Sequence, residues 1–176
     1  LMLCNKINYT GKQNLLRYSS GANLDHLGIL VEAERIGAKA AVTTIKITLS
    51  EVRLVATNIP AGTRATAGDN VFFAIDQDVT VMAGEVDVDV TATCTVAGAL
   101  GNGYLPGEIN KIVDPIPYVS SMVNITTTEG GSDVESDDSL REAIREAPEG
   151  FSVAGPVGEY IKIAKRASAL IVDVSV

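Results

Sequence analysis

The feature that most constrains the fold of this 176-residue chain is the strict alternation of apolar and polar side chains over residues 86–96. Every even position is Val, Ala or Cys, and every odd position is Asp or Thr. A period of two matches a β-strand, whose successive side chains point to opposite faces. The pattern therefore predicts a long strand in an antiparallel sheet that has one buried face and one wet, acidic face.

Composition extends this prediction to much of the chain. Val, Ile and Thr account for 49 of the 176 residues, and β-branched side chains favour strands. Alternation or short apolar runs predict further strands at 42–49, 71–74, 109–113 and 119–125. In the last of these, Val119, Ser121, Val123 and Ile125 form the alternating set. Turn residues separate the strands, with Pro60 and Gly62 marking the clearest turn.

The two ends of the chain carry helical patterns. Leucines at helical spacing predict helices within residues 1–41, the second capped by Ser20 or Asn23. Near the other end, Ser136 is the predicted cap of a helix with an apolar stripe, which Pro148 ends. Pro156 then opens a second late helix, and residues 170–176 alternate as a last strand.

These elements predict an α+β fold. A mainly antiparallel β-sheet region is accompanied by a smaller α/β part in which two late helices pack on strands. The corresponding segments are a helical segment at 1–41, a β-rich region at 42–98 and an α+β region at 99–176. Whether the last two form one domain or two stays open at this level.

Charge and cysteine content restrict the function. The formal net charge is −8, and two stretches, 69–114 and 129–149, carry the excess acids. A nucleic-acid-binding protein would instead display a basic face. No apolar run approaches the ~20 residues of a membrane-spanning helix. Cys4 and Cys94 lack the spacing of a zinc site; a disulfide between them stays open, and we favour two buried or unpaired thiols.

Three groups of residues match part of a catalytic or modification site, but none of them predicts catalysis. His26 is the one histidine in the sequence, and no nucleophile motif accompanies it. Asp87 and Asp89 share a strand face, but a single strand supplies no substrate pocket. The tripeptides that begin at Asn8 and Asn124 match glycosylation acceptors. The sequence therefore predicts no catalytic residue.

Two loops invite a ligand interpretation. Asp133, Glu135 and Asp137 occupy positions 1, 3 and 5 of an EF-hand loop, but Asp138 and Ile144 stand where Gly and Glu are needed. The glycine-rich segment, residues 98–107, lacks the third glycine of a dinucleotide site and precedes a strand rather than a helix. We expect neither a metal nor a cofactor, and we interpret these loops as an acidic helix N-terminus and a tight turn.

Four stretches follow one another along the chain: Ser20–Gly28, Ile59–Thr63, Gly101–Gly107 with its continuation to Asp114–Pro117, and Gly130–Ile144 with its continuation to Pro156. In this order they resemble the baseplate J-like family of contractile-tail bacteriophages and related injection machines. The resemblance covers about residues 15–176.

The resemblance implies a structural protein and no enzyme. It implies a wedge subunit of the tail baseplate, whose partners are other baseplate subunits and further copies of itself. Because the family pattern continues at both ends, we expect this chain to be a fragment of a longer protein. A carbohydrate- or receptor-binding β-domain of a phage tail is the alternative.

The resemblance transfers no catalytic residues to this chain. The motif residues that remain are glycines, prolines and one serine, which we expect to shape the backbone at turns and caps. They are Gly62, Gly101, Gly103, Gly107, Pro115, Pro117, Ser136 and Pro156.

Overall fold

The computed structural model describes residues 2–150 and residue 171. The chain divides into two compact units: a barrel unit, residues 38–133, and a helical unit that combines residues 1–37 with those from 134 onward. The predicted second late helix and the last strand lie outside the described residues. The three segments inferred from sequence pattern stay a prediction, since spatial compactness is a different criterion.

The barrel unit is built on one six-stranded antiparallel sheet. Its strand order is β7-β3-β4-β6-β1-β8, and β7 lies beside β8, which curls the sheet into a nearly closed barrel. A second sheet pairs β2 with β5. The strands are β1 (Val42–Leu49), β2 (Thr57–Ile59), β3 (Arg64–Thr66), β4 (Phe72–Ile75), β5 (Val79–Val81), β6 (Asp87–Cys94), β7 (Lys111–Ile112) and β8 (Val119–Asn124).

The alternating segment is confirmed as the central strand β6. It pairs with β1 so that Ile45 lies opposite Val90 on the inner face and Lys46 lies opposite Asp89 on the outer face. The strand ends at Cys94, two residues before the alternation does, and Val96 is half exposed. A mainly antiparallel sheet with helices confirms the α+β class.

The inner faces of the strands form the core of the barrel unit. Fourteen buried side chains make it up, and aliphatic residues dominate. They are Ala41, Ile45, Ile47, Leu49, Ile59, Ala65, Val71, Phe73, Ile75, Val81, Ala92, Cys94, Ile109 and Met122.

Strand β8 forms as predicted but buries the other set of side chains. Met122 and Asn124 face Ile47 and Ile45 of β1 and are almost fully buried, whereas Ile125 is 40% exposed. An asparagine in the core interrupts the apolar pattern. The alternation of Val119, Ser121 and Val123 therefore located the strand without indicating which face is buried.

The helical unit contains three described helices, α1 (Met2–Gln13), α2 (Ala22–Ile29) and α3 (Asp137–Gly150). The apolar stripe of α3 is confirmed: Leu140, Ile144 and Ala147 pack with Leu24 and Ala33. The prediction that Pro148 ends α3 is wrong, since the helix continues to Gly150. A proline in the last turn removes one intrahelical hydrogen bond, and a single lost bond does not stop a helix at that residue.

The predicted cap of α2 is also wrong. Gly21, with φ +53°, occupies the N-cap position and provides no side-chain bond. Its backbone N–H donates instead to Asp137 Oδ2, at 3.1 Å. Ser20 and Asn23 both donate to the side-chain oxygen of Gln13. A tertiary contact from α3 thus takes the place of a local cap.

Candidate functional site

The most connected polar side chain of the barrel unit is the amide of Asn124. Its Oδ1 accepts hydrogen bonds from the backbone N–H groups of Gly107 (3.1 Å) and Ile109 (2.9 Å). Its Nδ2 donates to the carbonyls of Leu105 and Thr126, both at 2.9 Å. Two donors and two acceptor lone pairs are the full capacity of an asparagine side chain. Asn124 therefore fixes the glycine-rich segment onto β8.

This geometry bears on the glycosylation motif. Asn124 is 1% exposed, and all of its amide positions are bonded to backbone. A glycan acceptor must present its amide nitrogen to solvent. In the folded protein Asn124 is a structural residue. Asn8, by contrast, lies exposed on α1.

Further bonds hold the glycine-rich segment to the chain before α3. Asn102 and Gly131 bond reciprocally: Asn102 Nδ2 donates to the Gly131 carbonyl at 2.7 Å, and Gly131 N–H donates to Asn102 Oδ1 at 2.9 Å. Gly103 N–H donates to the Thr128 carbonyl, and Tyr104 N–H to the Thr128 hydroxyl. The segment is a braced loop whose polar groups turn inward.

The glycines predicted to shape turns have distinct environments. Gly62, Gly103 and Gly107 adopt φ values of +80°, +89° and +92°. Residues that carry a Cβ rarely adopt this region. Gly101 lies in a 3-10 helix (Ala99–Gly101), and a Cβ built there would lie 2.9 Å from Cys94 Sγ. The role of these four positions in shaping the backbone stays a prediction that substitution would test.

Pro115 precedes, and Pro117 lies within, a tight turn that leads into β8. Val119 N–H donates to the Ile116 carbonyl at 3.2 Å, which places Pro117 second in the turn and Tyr118 third with φ +70°. A positive φ is uncommon for a residue other than glycine. The sequence analysis missed Tyr118, since nothing in its own identity signals this conformation.

An aromatic contact accompanies the strained turn. The guanidinium of Arg53 lies over the Tyr118 ring, 3.7 Å from its centroid. Arg53 also donates to the Thr57 hydroxyl at 2.7 Å. This stacking holds the loop that follows β1 against the turn that precedes β8.

Ser136 lies at the start of α3, where the Ser139 N–H donates to its hydroxyl oxygen at 3.2 Å. This is the geometry of an N-cap side chain. Pro156, the last of the predicted cap residues, lies outside the described residues.

The acidic run before α3 is divided among several partners. Asp133 Oδ1 accepts from Ala99 N–H at 2.9 Å within the barrel unit. Glu135 is buried and accepts from Ile36 N–H at 2.9 Å and from the Ser139 hydroxyl at 2.7 Å. Among residues 2–150, no three His, Cys, Asp or Glu side chains converge as a metal site would require.

In the helical unit Arg35 connects α2 to α3. Its guanidinium donates to Asp25 at 2.8 Å, to Asp137 at 2.7 Å and to the Glu135 carbonyl. The backbone N–H of Gly21 and then Arg35 lower the pKa of Asp137. This cluster was not predicted, because its members lie about 100 residues apart in the sequence.

Each of the sequence candidates for chemistry has its own surroundings within its unit. His26 is exposed on α2, while its neighbour Asp25 pairs with Arg35. Asp87 and Asp89 lie on the outer face of β6, where Lys46 Nζ approaches them at 3.1 and 3.9 Å. Cys4 is exposed and Cys94 is buried, and both are free thiols.

One tyrosine has a strongly perturbed hydroxyl. Tyr104 donates a short hydrogen bond to Asp69 Oδ2 and meets the edge of the Phe73 ring. Burial, followed by the Asp69 bond, raises the pKa of Tyr104 to about 12, and the same bond lowers the pKa of Asp69. Tyr104 is therefore protonated at neutral pH and serves as a hydrogen-bond donor.

Asn102, Asn124, Arg35 and Tyr104 share one property: their polar groups bond to the chain itself. Within the described part of the chain no helix is long and apolar enough to cross a bilayer. The arrangement is that of a braced scaffold, which leaves its loops as candidate surfaces for partners.

Comparisons with known proteins bear on the family. No curated protein matches the chain. A chain in the cryo-EM structure of the anti-feeding prophage baseplate, determined with 6-fold symmetrisation, aligns with a TM-score of 0.45 and 11% sequence identity. The alignment covers 84% of this chain and 46% of that chain, so this chain spans about half the length of that protein.

The family comparison falls on the barrel unit. The model for the Baseplate J-like protein barrel domain matches residues 44–131, which begin within β1 and end at the glycine that bonds with Asn102. That match covers half of the sequence, and the chain belongs to the Baseplate J-like protein family.

Proposed function

We propose that this chain is a structural part of a contractile tail baseplate, as a wedge subunit, and that it acts through protein–protein contacts. The observation that carries the proposal is the family match over residues 44–131, which coincides with the barrel unit. The protein's place in the virion is then the tail baseplate, after synthesis and assembly in the cytoplasm of the bacterial host.

The polar networks support a scaffolding role without catalysis. The side chains of Asn124, Asn102 and Arg35 form hydrogen bonds with the chain's own backbone and carboxylates. Such bonds lock loops in place and present no group to a substrate. A subunit that transmits force in an assembly needs this rigidity, because a loose loop would absorb displacement.

Partners follow from the proposed assembly. Other baseplate subunits are the first, and further copies of this chain are the second. The acidic barrel region, residues 69–114, carries eight acids and one base. It would repel a nucleic-acid backbone, and it would steer a basic protein surface toward the barrel. We therefore propose no nucleic-acid partner.

An in-frame deletion of the codons for residues 44–131, in the phage or prophage that encodes the intact protein, tests the role. We expect induced cells to yield tails without complete baseplates in negative-stain electron microscopy. Complementation with the wild-type gene restores baseplates. Complementation with Asn124→Ala restores fewer than Asn110→Ala, its exposed control in the same region.

Two outcomes would contradict the proposal. The first is normal contractile tails with complete baseplates after the deletion. The second is saturable binding of host glycans by the purified protein together with unaltered baseplates, which would favour the carbohydrate- or receptor-binding alternative.

A further inference from the structure

We infer that helix α1 of one copy of this chain docks on an exposed apolar surface of the barrel unit in a second copy. The inference rests on the proposed self-association and names the two surfaces that would meet. Each surface is exposed in the described part of one chain, and the two have opposite charge.

Helix α1 is the first surface. Its apolar side chains Met2, Leu3 and Ile7 are exposed, at 85%, 71% and 64%. Gln13 is the one buried residue of the helix, and a Cβ added at Gly11 would meet no atom within 4 Å. An isolated helix of this length is marginal in water, so packing must supply its stability.

The charge of α1 has one sign. Lys6 and Lys12 lie on the helix and Arg17 follows it, while residues 2–17 contain no Asp or Glu. Leu3 and Ile7 are one turn apart and lie on the same side of the helix. The helix thus offers a short apolar stripe with Lys6 beside it, while Lys12 lies on the far side of the helix, over the Tyr18 ring.

The second surface is the rim patch, defined as Val52, Leu54, Val55 and Met82. The first three belong to the loop after β1, and Met82 begins the turn after β5. Leu54 is 93% exposed, and the other three are 59–66% exposed. Gly84 N–H donates to the Arg53 carbonyl at 2.8 Å, which joins this loop to this turn.

The rim patch is held in place before any partner arrives. Arg53 stacks on Tyr118 and donates to Thr57, and these two contacts hold the loop after β1 in place. Ser50 N–H also donates to the Tyr118 carbonyl at 2.9 Å. A preformed apolar surface avoids the entropic cost of ordering a loop on binding.

Acids border the rim patch. Glu51 precedes its first residue, and Glu85 closes the turn that Met82 begins; both side chains are exposed. The one cation of the loop, Arg53, is engaged with Tyr118. An apolar surface with acidic borders matches the apolar stripe of α1 with Lys6 beside it, as in helix-in-groove recognition.

Photo-crosslinking from Cys4 tests the inference directly. Cys4 is an exposed thiol on α1, and Cys94 is buried, so a benzophenone maleimide on the Cys94→Ser variant of the 176-residue chain labels α1 alone. We expect crosslinks to residues 51–55 and 82–85. A mixture of ¹⁵N-labelled and unlabelled chains shows whether each crosslink joins two molecules. Crosslinks within one molecule, or to Leu100 and Leu105 instead, would overturn the inference.

Sedimentation velocity on matched variants gives an independent measurement. Leu54→Ser should weaken self-association about tenfold or more, as truncation of a central apolar anchor does. Leu100→Ser, an exposed leucine outside the rim patch, should leave self-association unchanged. Equal effects of the two variants would overturn the inference.

A charge exchange between α1 and the rim patch is the third test of the inference. Lys6→Glu should weaken self-association, and adding Glu51→Lys with Glu85→Lys should restore it. Absence of restoration counts against the pairing. A wild-type chain that stays monomeric yet binds other baseplate subunits would overturn this inference and leave the proposed function standing.

Discussion

The buried amide of Asn124 offers the sharpest test of how the barrel is held together. Replacing it with alanine removes four hydrogen bonds from a side chain that is 1% exposed. The consequences differ among the four groups it contacts. Gly107 N–H, the Leu105 carbonyl and the Thr126 carbonyl each keep another partner. The N–H of Ile109, a fully buried residue, bonds to Asn124 alone in the described structure.

The expected magnitude follows from this difference. A buried N–H left without a partner costs about 1–3 kcal/mol, and the other lost bonds add to that. We therefore expect Asn124→Ala to lower the free energy of unfolding by about 2–4 kcal/mol. Asn110→Ala is the matched control, since Asn110 is exposed and donates a single bond to the Gly107 carbonyl.

Urea unfolding followed by circular dichroism measures the free energy, and hydrogen exchange reports the individual amides. The Ile109 amide should exchange faster in Asn124→Ala, and the amides of β6 should change less. A loss below about 1 kcal/mol, or an Ile109 amide that stays protected, would refute the claim that this side chain holds the glycine-rich segment and Ile109 to β8.

Two further predictions concern packing and pH. Gly101→Ala should destabilise the barrel unit by about 1–3 kcal/mol, because its Cβ would meet Cys94 Sγ at 2.9 Å. Gly37→Ala, where a Cβ meets no atom within 4 Å, should change the midpoint of thermal unfolding little. Asp137 has a lowered pKa in the folded state, so its stabilising contribution is present above its unfolded value and is lost as the pH falls below about 4. Acid titration of unfolding should show this loss in the wild type and a weaker one in Asp137→Asn.

The local sequence pattern was sufficient to predict those elements whose secondary structure depends on residues close in sequence. The alternation over 86–96 predicted β6, because an antiparallel strand with one buried face needs side chains of period two. The stripe of α3 was predictable for the same reason at helical period. Both patterns show how apolar side chains are spaced within one element, and this spacing is set by the local sequence.

The α2 cap and the core asparagine were missed for a common reason. Gly21 provides no cap of its own and depends on Asp137, which lies 116 residues away. Asn124 lies in a strand whose more apolar set of side chains is only partly buried, and its partners come from a loop 15–19 residues earlier. Long-range hydrogen bonds leave no periodic trace in a sequence.

By itself the sequence determined the α+β class, the β6 strand and the family resemblance, since each depends on residue types at short spacing. Only the tertiary structure decided the strand order, the attachment of the glycine-rich segment to β8 by Asn124, and the Arg35 cluster. It also decided which loops leave apolar side chains uncovered. The physical reason is that these features arise from contacts between distant segments, and a buried polar group is tolerated only where such contacts satisfy it.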